Sequence, residues 1–252
     1  MIGEDLSQMA SLAQGRYAAF LDFLRAQAEQ SNRRDPTSEE VRNDIERVVR
    51  DRAREYLGLE QAYLNDDTLT VARRAHETAM SDLGLPQGTI ADRFADFIYR
   101  ASRFTAQLLA AQAERDVVAV AKHLSTLAQR VDMKVRSGRH TIMSAVAAVL
   151  IDDRTAPTFR YVDRLGRNYK ATKHVRDLYR QHLLNVYNEV YLDIMAEYGV
   201  TTLEVTHPEP SYKWAGTLVS IDGEGDDPLY YDVRDEIFHP GSDAVLTIPE
   251  DA

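Results

Sequence analysis

Residues 171–206, ATKHVRDLYRQHLLNVYNEVYLDIMAEYGVTTLEVT, change their period at a single glycine. Before it, Val175, Leu178, Leu183, Val186, Val190, Ile194 and Met195 recur three and four apart, the spacing of one helical face over 171–198. Gly199 is the expected end cap. Beyond it, Thr202-Leu-Glu-Val-Thr206 alternates apolar and polar as a half-buried strand does. The same period of two continues in Thr217–Ile221, Tyr230–Val233 and Ala244–Ile248, which are expected as strands. Gly223, Gly225, Pro228, Pro240 and Gly241 punctuate them.

Toward the N-terminus the texture is helical. Leu6, Met9, Ala10, Ala13, Tyr17, Phe20, Leu21 and Leu24 form one face of a helix ending near Gln30. After SNRRDPT, Thr37 and Glu40 have the spacing of a capping box for a second helix striped by Val41, Ile45, Val48, Val49 and Tyr56. Asp66-Asp67 is expected to cap a third helix, striped by Val71, Ala75, Ala79 and Leu83 and stopped by Gly84 and Pro86. From about Thr89 to Arg136 no Gly or Pro follows Gly88. At about 1.5 Å per residue that stretch would be near 70 Å long, so a bend is expected around Glu114–Asp116. Ser137-Gly138 ends it, and Thr141–Ile151 reads as a short, nearly all-apolar helix. Pro157 opens a linker and Gly166 marks a turn. The expected fold is therefore mainly α with a small C-terminal α+β domain: a helical region over 1–155, then a long helix and a short antiparallel sheet over 156–252.

A chain of 252 residues, 44% hydrophobic and 28% charged, can bury a core and need not be disordered. It has no apolar run long enough to span a bilayer. The start, MIGEDLSQ, carries Glu4 and Asp5 where a secretory signal would be basic. With no cysteine, disulfides, thiol catalysis and thiolate metal sites are excluded. The net charge of −10 is uneven, because residues 183–252 hold 15 acidic side chains against Lys213 and Arg234. Residues 154–180 hold eight basic side chains (Arg154, Arg160, Arg164, Arg167, Lys170, Lys173, Arg176 and Arg180) against Asp163 and Asp177. Such asymmetry suits two surfaces with different partners, or one region docking on the other.

The order of features from Val135 to Ile248 resembles the phage minor capsid, or head morphogenesis, family. The pieces are Arg136-Ser137-Gly138, Asp163-Arg164-Leu165-Gly166-Arg167 with Tyr169, and the helix ending at Gly199-Val200. Then come the strand through Val205 to His207, Trp214-Ala215-Gly216, Val219-Ser220-Ile221 with Gly223, and Phe238-His239-Pro240. The resemblance covers roughly the last 115 residues; before it, the match is to a helical region alone. Two departures stand out. Where many relatives carry Cys near the Trp and after His-Pro, this chain has Glu209, Ser211, Ser242 and Ala244. The Arg-Thr often found early in the long helix is replaced by Tyr179-Arg180-Gln181-His182.

The resemblance implies a structural, non-enzymatic head protein in few copies, inside the shell at the portal vertex. Its partners would be the portal protein, the major capsid protein and packaged DNA, with no membrane, small-molecule substrate or cofactor. The family positions Gly138, Gly166, Arg167, Tyr169, Gly199, Val205, Trp214, Gly216, Ser220, Ile221, Gly223, His239 and Pro240 would be structural.

Other constellations weigh less. Asp222, Glu224 and Asp226 alternate like calcium ligands, but Asp227 stands where a calcium loop needs Gly, so a solvated hairpin turn is expected. Of the seven histidines, the closest pair, His174 and His182, is eight apart, too far for one metal; His207 and His239 could meet but lack further ligands. Ser220, Ser242, His239 and Asp243 supply the types of a triad without its geometry. Trp214 reads as the anchor of a small sheet's core, and Phe20, Phe23, Phe94, Phe97, Tyr99 and Phe104 as mostly core with some facing a partner. Arg164, Arg167, Lys170, Lys173, Arg176 and Arg180 are the candidate contacts to phosphates or to an acidic partner, the acidic end of the chain included. A DNA-binding head-interior protein using 160–180 is thus the alternative; a hydrolytic or toxin-like C-terminal domain is less favoured, since little chain follows His239-Pro240.

Overall fold

A computed structural model of the chain describes residues 2–88, 90, 93–152, 156–239 and 241–249. Thr89, Arg154 and Pro240, named above, lie outside them. The fold is mainly α with small antiparallel sheets toward the C-terminus. In order it runs α1 (Ile2–Gln30), a 3-10 turn (Ser31–Arg33), α2 (Glu39–Asp82), α3 (Arg93–Arg136) and α4 (Ile142–Asp152). Then follow β1 (Arg160–Val162), β2 (Asn168–Lys170), α5 (Ala171–Glu197), β3 (Thr202–Thr206), β4 (Leu218–Ser220), α6 (Tyr230–Ile237) and β5 (Val245–Thr247).

Contacts group these elements into two units, neither continuous in sequence. A sheet-bearing unit takes Met1–Leu12, Gln61–Thr105 and Arg176–Ala252; a hairpin-bearing unit takes Ala13–Glu60 and Ala106–Val175.

In the sheet-bearing unit, α5 is the central element. Leu183, Leu184, Val186, Tyr187, Val190, Tyr191, Leu192, Ile194 and Met195 are all buried, a face much wider than one stripe, and the open side is left to Asn185, Glu189 and Asp193. Its polar side chains serve as ties. Tyr179 donates to Asp67 at 2.6 Å, Tyr191 to Asp82 at 2.8 Å, and Gln181 to the Phe238 carbonyl at 2.6 Å. Buried Asn188 accepts the Leu246 amide at 3.1 Å, and Glu189 receives both Tyr230 and Arg234. At the C-terminus, Gly199 (φ 80°) lets the Val200 amide reach the Met195 carbonyl and its own amide reach Ala196, a Schellman stop. The three-stranded sheet has the order β4-β3-β5, antiparallel throughout, with Val205 opposite Leu246 and Leu203 opposite Val219.

In the hairpin-bearing unit, Tyr17, Phe20 and Tyr56 form a ring cluster, with Phe20 stacked on Tyr56 at 4.9 Å. Val117, Val120, Leu124, Leu127 and Val131 of α3 continue the core toward Ala145, Val146 and Val149 of α4. Two polar pairs lie within it. Glu60, almost fully buried, takes a two-pronged contact from Arg16 at 2.8 and 2.6 Å. Tyr17 donates to Asp116, which also accepts from Gln112 at 3.2 Å.

Several expectations need correction. The second and third helices are one helix, α2, running through Asp66-Asp67. Asp67 caps nothing there; as a mid-helix residue it receives Tyr179. The cap of α2 also moves by one residue: Ser38 accepts the Val41 amide at 3.4 Å, while Thr37 turns back to Asp35. Tyr230–Val233 is the first turn of α6 rather than a strand, because Tyr230 and Ile237, two turns apart, are the residues that bury. The loop after Ser220 is therefore no hairpin. It closes on itself, with the Ser220 amide on the Pro228 carbonyl at 2.9 Å and Asp222 accepting from Ser220 and the Glu224 amide, bonds that hold its carboxyl below the ordinary range. Trp214 is half-buried under Lys213, whose Nζ lies 4.5 Å from a ring centroid, so it does not anchor the sheet. Among the aromatics, Phe20 and Phe94 are core, whereas Tyr99 and Phe104 are exposed.

One buried group in each unit carries a pH dependence of opposite sign. Burial pushes the His182 imidazole down to about 4 from 6.5; it faces Thr68, whose hydroxyl bonds the Leu64 carbonyl and is also met by Ser102. As pH falls below 6.5 the unfolded chain takes up this proton first, so stability present above that value is lost toward pH 4. Burial raises the Asp116 carboxyl, outweighing its bonds from Tyr17 and Gln112. Its unfolded form ionises first as pH climbs past 3.8, so that contribution falls in the opposite direction. In thermal melts across roughly pH 4 to 8, His182→Gln should remove an acid-side loss on the order of 3 kcal/mol, and Asp116→Asn should flatten the decline at rising pH. Parallel curves for the variants and the parent would contradict both assignments.

Candidate functional site

The basic stretch begins on a two-stranded ribbon. Asp163 makes its turn, accepting the Leu165 amide at 2.9 Å, the Arg167 amide at 2.8 Å and Arg167 Nε at 2.6 Å, while Gly166 takes a φ of 76° that a side chain would resist. Burial raises the Asp163 carboxyl, but the bonds from Arg167 and Leu165 together bring it below the ordinary range. Register then sorts the side chains. Tyr161 stands opposite Tyr169 on one face, and Arg160 opposite Lys170 on the other, with Val162 opposite Asn168.

The aromatic face is tied to helices. Tyr161 stacks on His174 of α5 at 3.5 Å with the rings parallel, and Arg115 of α3 lies 5.4 Å from its centroid. Phe159, just before β1, is buried with Arg25 of α1 over it at 5.2 Å. Arg167 and Lys173 both approach the Tyr169 ring at 5.9 Å. The opposite face presents Arg160, Val162, Asn168 and Lys170, all exposed, with Arg164 exposed at the tip. Two cations directly across a ladder repel each other. An exposed arrangement of that kind favours an anion laid along the ribbon.

The six sequence-selected cations thus divide. Arg164, Arg167, Lys170 and Lys173 belong to the ribbon and the first turn of α5 in the hairpin-bearing unit. Arg176 and Arg180 belong to the sheet-bearing unit, where Arg176 faces Asp177 at 3.6 Å. Arg180 is buried, donates to the Ser242 carbonyl at 2.6 Å and pairs with Asp243, which makes it an internal partner of the acidic end.

The family-pattern residues occupy turns and strand centres. Gly138, Gly166, Gly199, Gly216 and Gly223 all have positive φ. Gly216 donates to the Val205 carbonyl at 2.9 Å, which seats the Trp214-Ala215-Gly216 turn on β3. Val205 is buried in β3, Ile221 donates to the Thr201 carbonyl at 2.8 Å, and buried Ser220 accepts the Gly223 amide at 2.9 Å. His239 lies near Tyr212 at 6.3 Å, and Tyr212 stacks on His207 at 4.2 Å, so an aromatic ring stands with the two histidines. Among the described residues no His, Asp or Glu trio gathers as metal ligands would.

No family model, curated protein or solved structure matches this chain.

Arg160, Tyr161, His174 and Arg115 are the site residues that sequence reasoning did not select. The signal for Arg160 and Tyr161 was present in RYV and NYK flanking Asp163–Arg167, an alternation three residues long on either side of a turn, whereas Arg115 and His174 join the site only through the tertiary fold. Asp163→Ala should release the tip: hydrogen exchange at the Leu165 and Arg167 amides should speed up while the thermal midpoint stays close to the parent's. Unchanged exchange there would show that the ribbon is held by its aromatic face alone.

Proposed function

We propose that this chain is a structural minor capsid protein of a phage head, present in few copies and bound at the portal vertex inside the shell. In that position it assists head assembly or DNA delivery. The identity comes from the resemblance over Val135–Ile248, whose residues here build turns and a sheet framework rather than converging on one reaction centre. The observation that carries an assembly role is the set of large apolar side chains left on helix surfaces. Tyr99 is 61% and Phe104 63% exposed, next to the buried Phe94 of the same helix. Exposed aromatics on a helix that also leaves Leu108 and Val118 at its surface suit docking, and the portal protein is the partner proposed for them.

Light scattering after size-exclusion chromatography tests this, on the protein alone and mixed with the portal protein of the same phage. The expected result is a stable complex with a fixed number of copies per portal ring. Tyr99→Glu combined with Phe104→Glu should abolish it while leaving stability within about 1 kcal/mol. Absence of any complex with the parent protein would overturn the reading.

The ribbon favours a second reading. Its exposed Arg160, Arg164 and Lys170 make a cationic edge, and a two-stranded ribbon is narrow enough for the major groove of DNA. A head-interior protein that holds packaged DNA through this edge should bind duplex DNA with steep salt dependence. Replacing Arg164, Arg167 and Lys170 by Glu should lower that affinity roughly tenfold or more and flatten the salt slope. Indifference of DNA retention to those changes would remove this reading.

A further inference from the structure

The exposed face of the ribbon carries a neutral pair between its cations. Backbone bonds close the ladder from Asp163 to the Arg167 carbonyl at 3.1 Å and from Ala171 to the Phe159 carbonyl at 3.4 Å. In an antiparallel ladder such pairs alternate with non-hydrogen-bonded ones, so Val162–Asn168 and Arg160–Lys170 fall at the non-hydrogen-bonded sites. There the Cα atoms stand only about 4.5 Å apart and the side chains are closest. The Val162 methyls and the Asn168 carboxamide thus lie side by side, both exposed.

Asp163, the acid of the turn, shares the parity of Tyr161 and is engaged by the Leu165 and Arg167 amides and by Arg167 Nε. The exposed face therefore holds no carboxylate: Arg160 and Lys170 stand at one end, Val162 and Asn168 in the middle, and Arg164 at the turn. Among the described residues, the side chains of Arg160, Arg164, Lys170 and Asn168 have no hydrogen-bond or ion-pair partner. Arg160 to Asp163 spans on the order of 10 Å at about 3.3 Å per residue. The major groove is about 12 Å wide, so cations at the two ends can reach phosphates on either side while the middle faces base edges.

That middle is chemically selective. A carboxamide both donates and accepts, which matches the N6 and N7 edge of adenine. A branched apolar side chain answers the methyl group of thymine, which no G·C pair carries. Phosphates alone would answer the cations and leave Val162 and Asn168 unused.

We infer that the Val162–Asn168 pair reads A·T base pairs in the major groove, with Asn168 on adenine and Val162 against the thymine methyl. The inference rests on the DNA reading of the ribbon and adds a base preference to it.

Fluorescence anisotropy of the full chain with short labelled duplexes tests it, at about 150 mM salt. An A·T-rich duplex should bind at least about fivefold tighter than a G·C duplex of equal length. Replacing adenine by 7-deazaadenine, which lacks N7 and still pairs, should erase most of that preference. Replacing thymine by deoxyuridine removes the methyl alone, and should weaken binding by the parent but not by Val162→Ser. Asn168→Ala should bind the A·T and G·C duplexes alike with the parent's salt slope, since the phosphate contacts remain. Both variants change exposed side chains, so their circular dichroism should match the parent's. Equal binding of the two duplexes by the parent overturns the inference and leaves the DNA reading standing. So does a preference that persists in Asn168→Ala and disappears in Leu165→Ala, because the exposed leucine of the turn would then be the reader. Absence of binding to either duplex overturns both.

Discussion

The wide buried face of α5 is the constraint around which the sheet-bearing unit is built. A helix whose residues 183–195 bury apolar side chains over most of its circumference cannot rest on one neighbour. It has to be enclosed, and each polar group carried in with it needs a partner. Asn188, Glu189 and Gln181 therefore bind the C-terminal elements, while Tyr179 and Tyr191 bind α2 at Asp67 and Asp82. These ties, with the burial of Leu246, Tyr230 and Ile237, place β5 and α6.

The hairpin-bearing unit uses a different device. Its rings and aliphatic side chains leave two acids inside, and each is matched differently. Glu60 stays with a guanidinium, Arg16. Asp116 is hydrogen-bonded by neutral donors, Tyr17 and Gln112, and burial outweighs them and raises its pKa. A charged pair of the first kind is costly to break from one side, whereas the second is sensitive to pH.

Charge is sorted onto separate surfaces of the molecule. The ribbon is cationic on one face because the other is committed to Tyr161, His174 and Arg115. The α3–α4 junction is cationic, and the loop and outer face of α6 are acidic with an exposed tyrosine.

The sequence by itself determined the helix faces, the stops at Gly84, Gly138 and Gly199, and the strand at Thr202–Thr206. Each depends on a local period or on a residue that tolerates positive φ, and neither needs a distant partner. The exposed cations of the ribbon were legible as a basic run, though Arg160 and Tyr161 were not chosen, because three-residue strands are too short to establish a period. Tertiary structure decided the rest. Asp67 reads as a cap until Tyr179, 112 residues away, gives it a role inside a continuous α2. Tyr230–Val233 alternates like a strand until Glu189 and the buried Ile237 make it helical. Arg180 looks like one more surface cation until Ser242 and Asp243 take it inward. In every such case a polar side chain met a partner far along the chain, and long-range partners leave no trace in local periodicity.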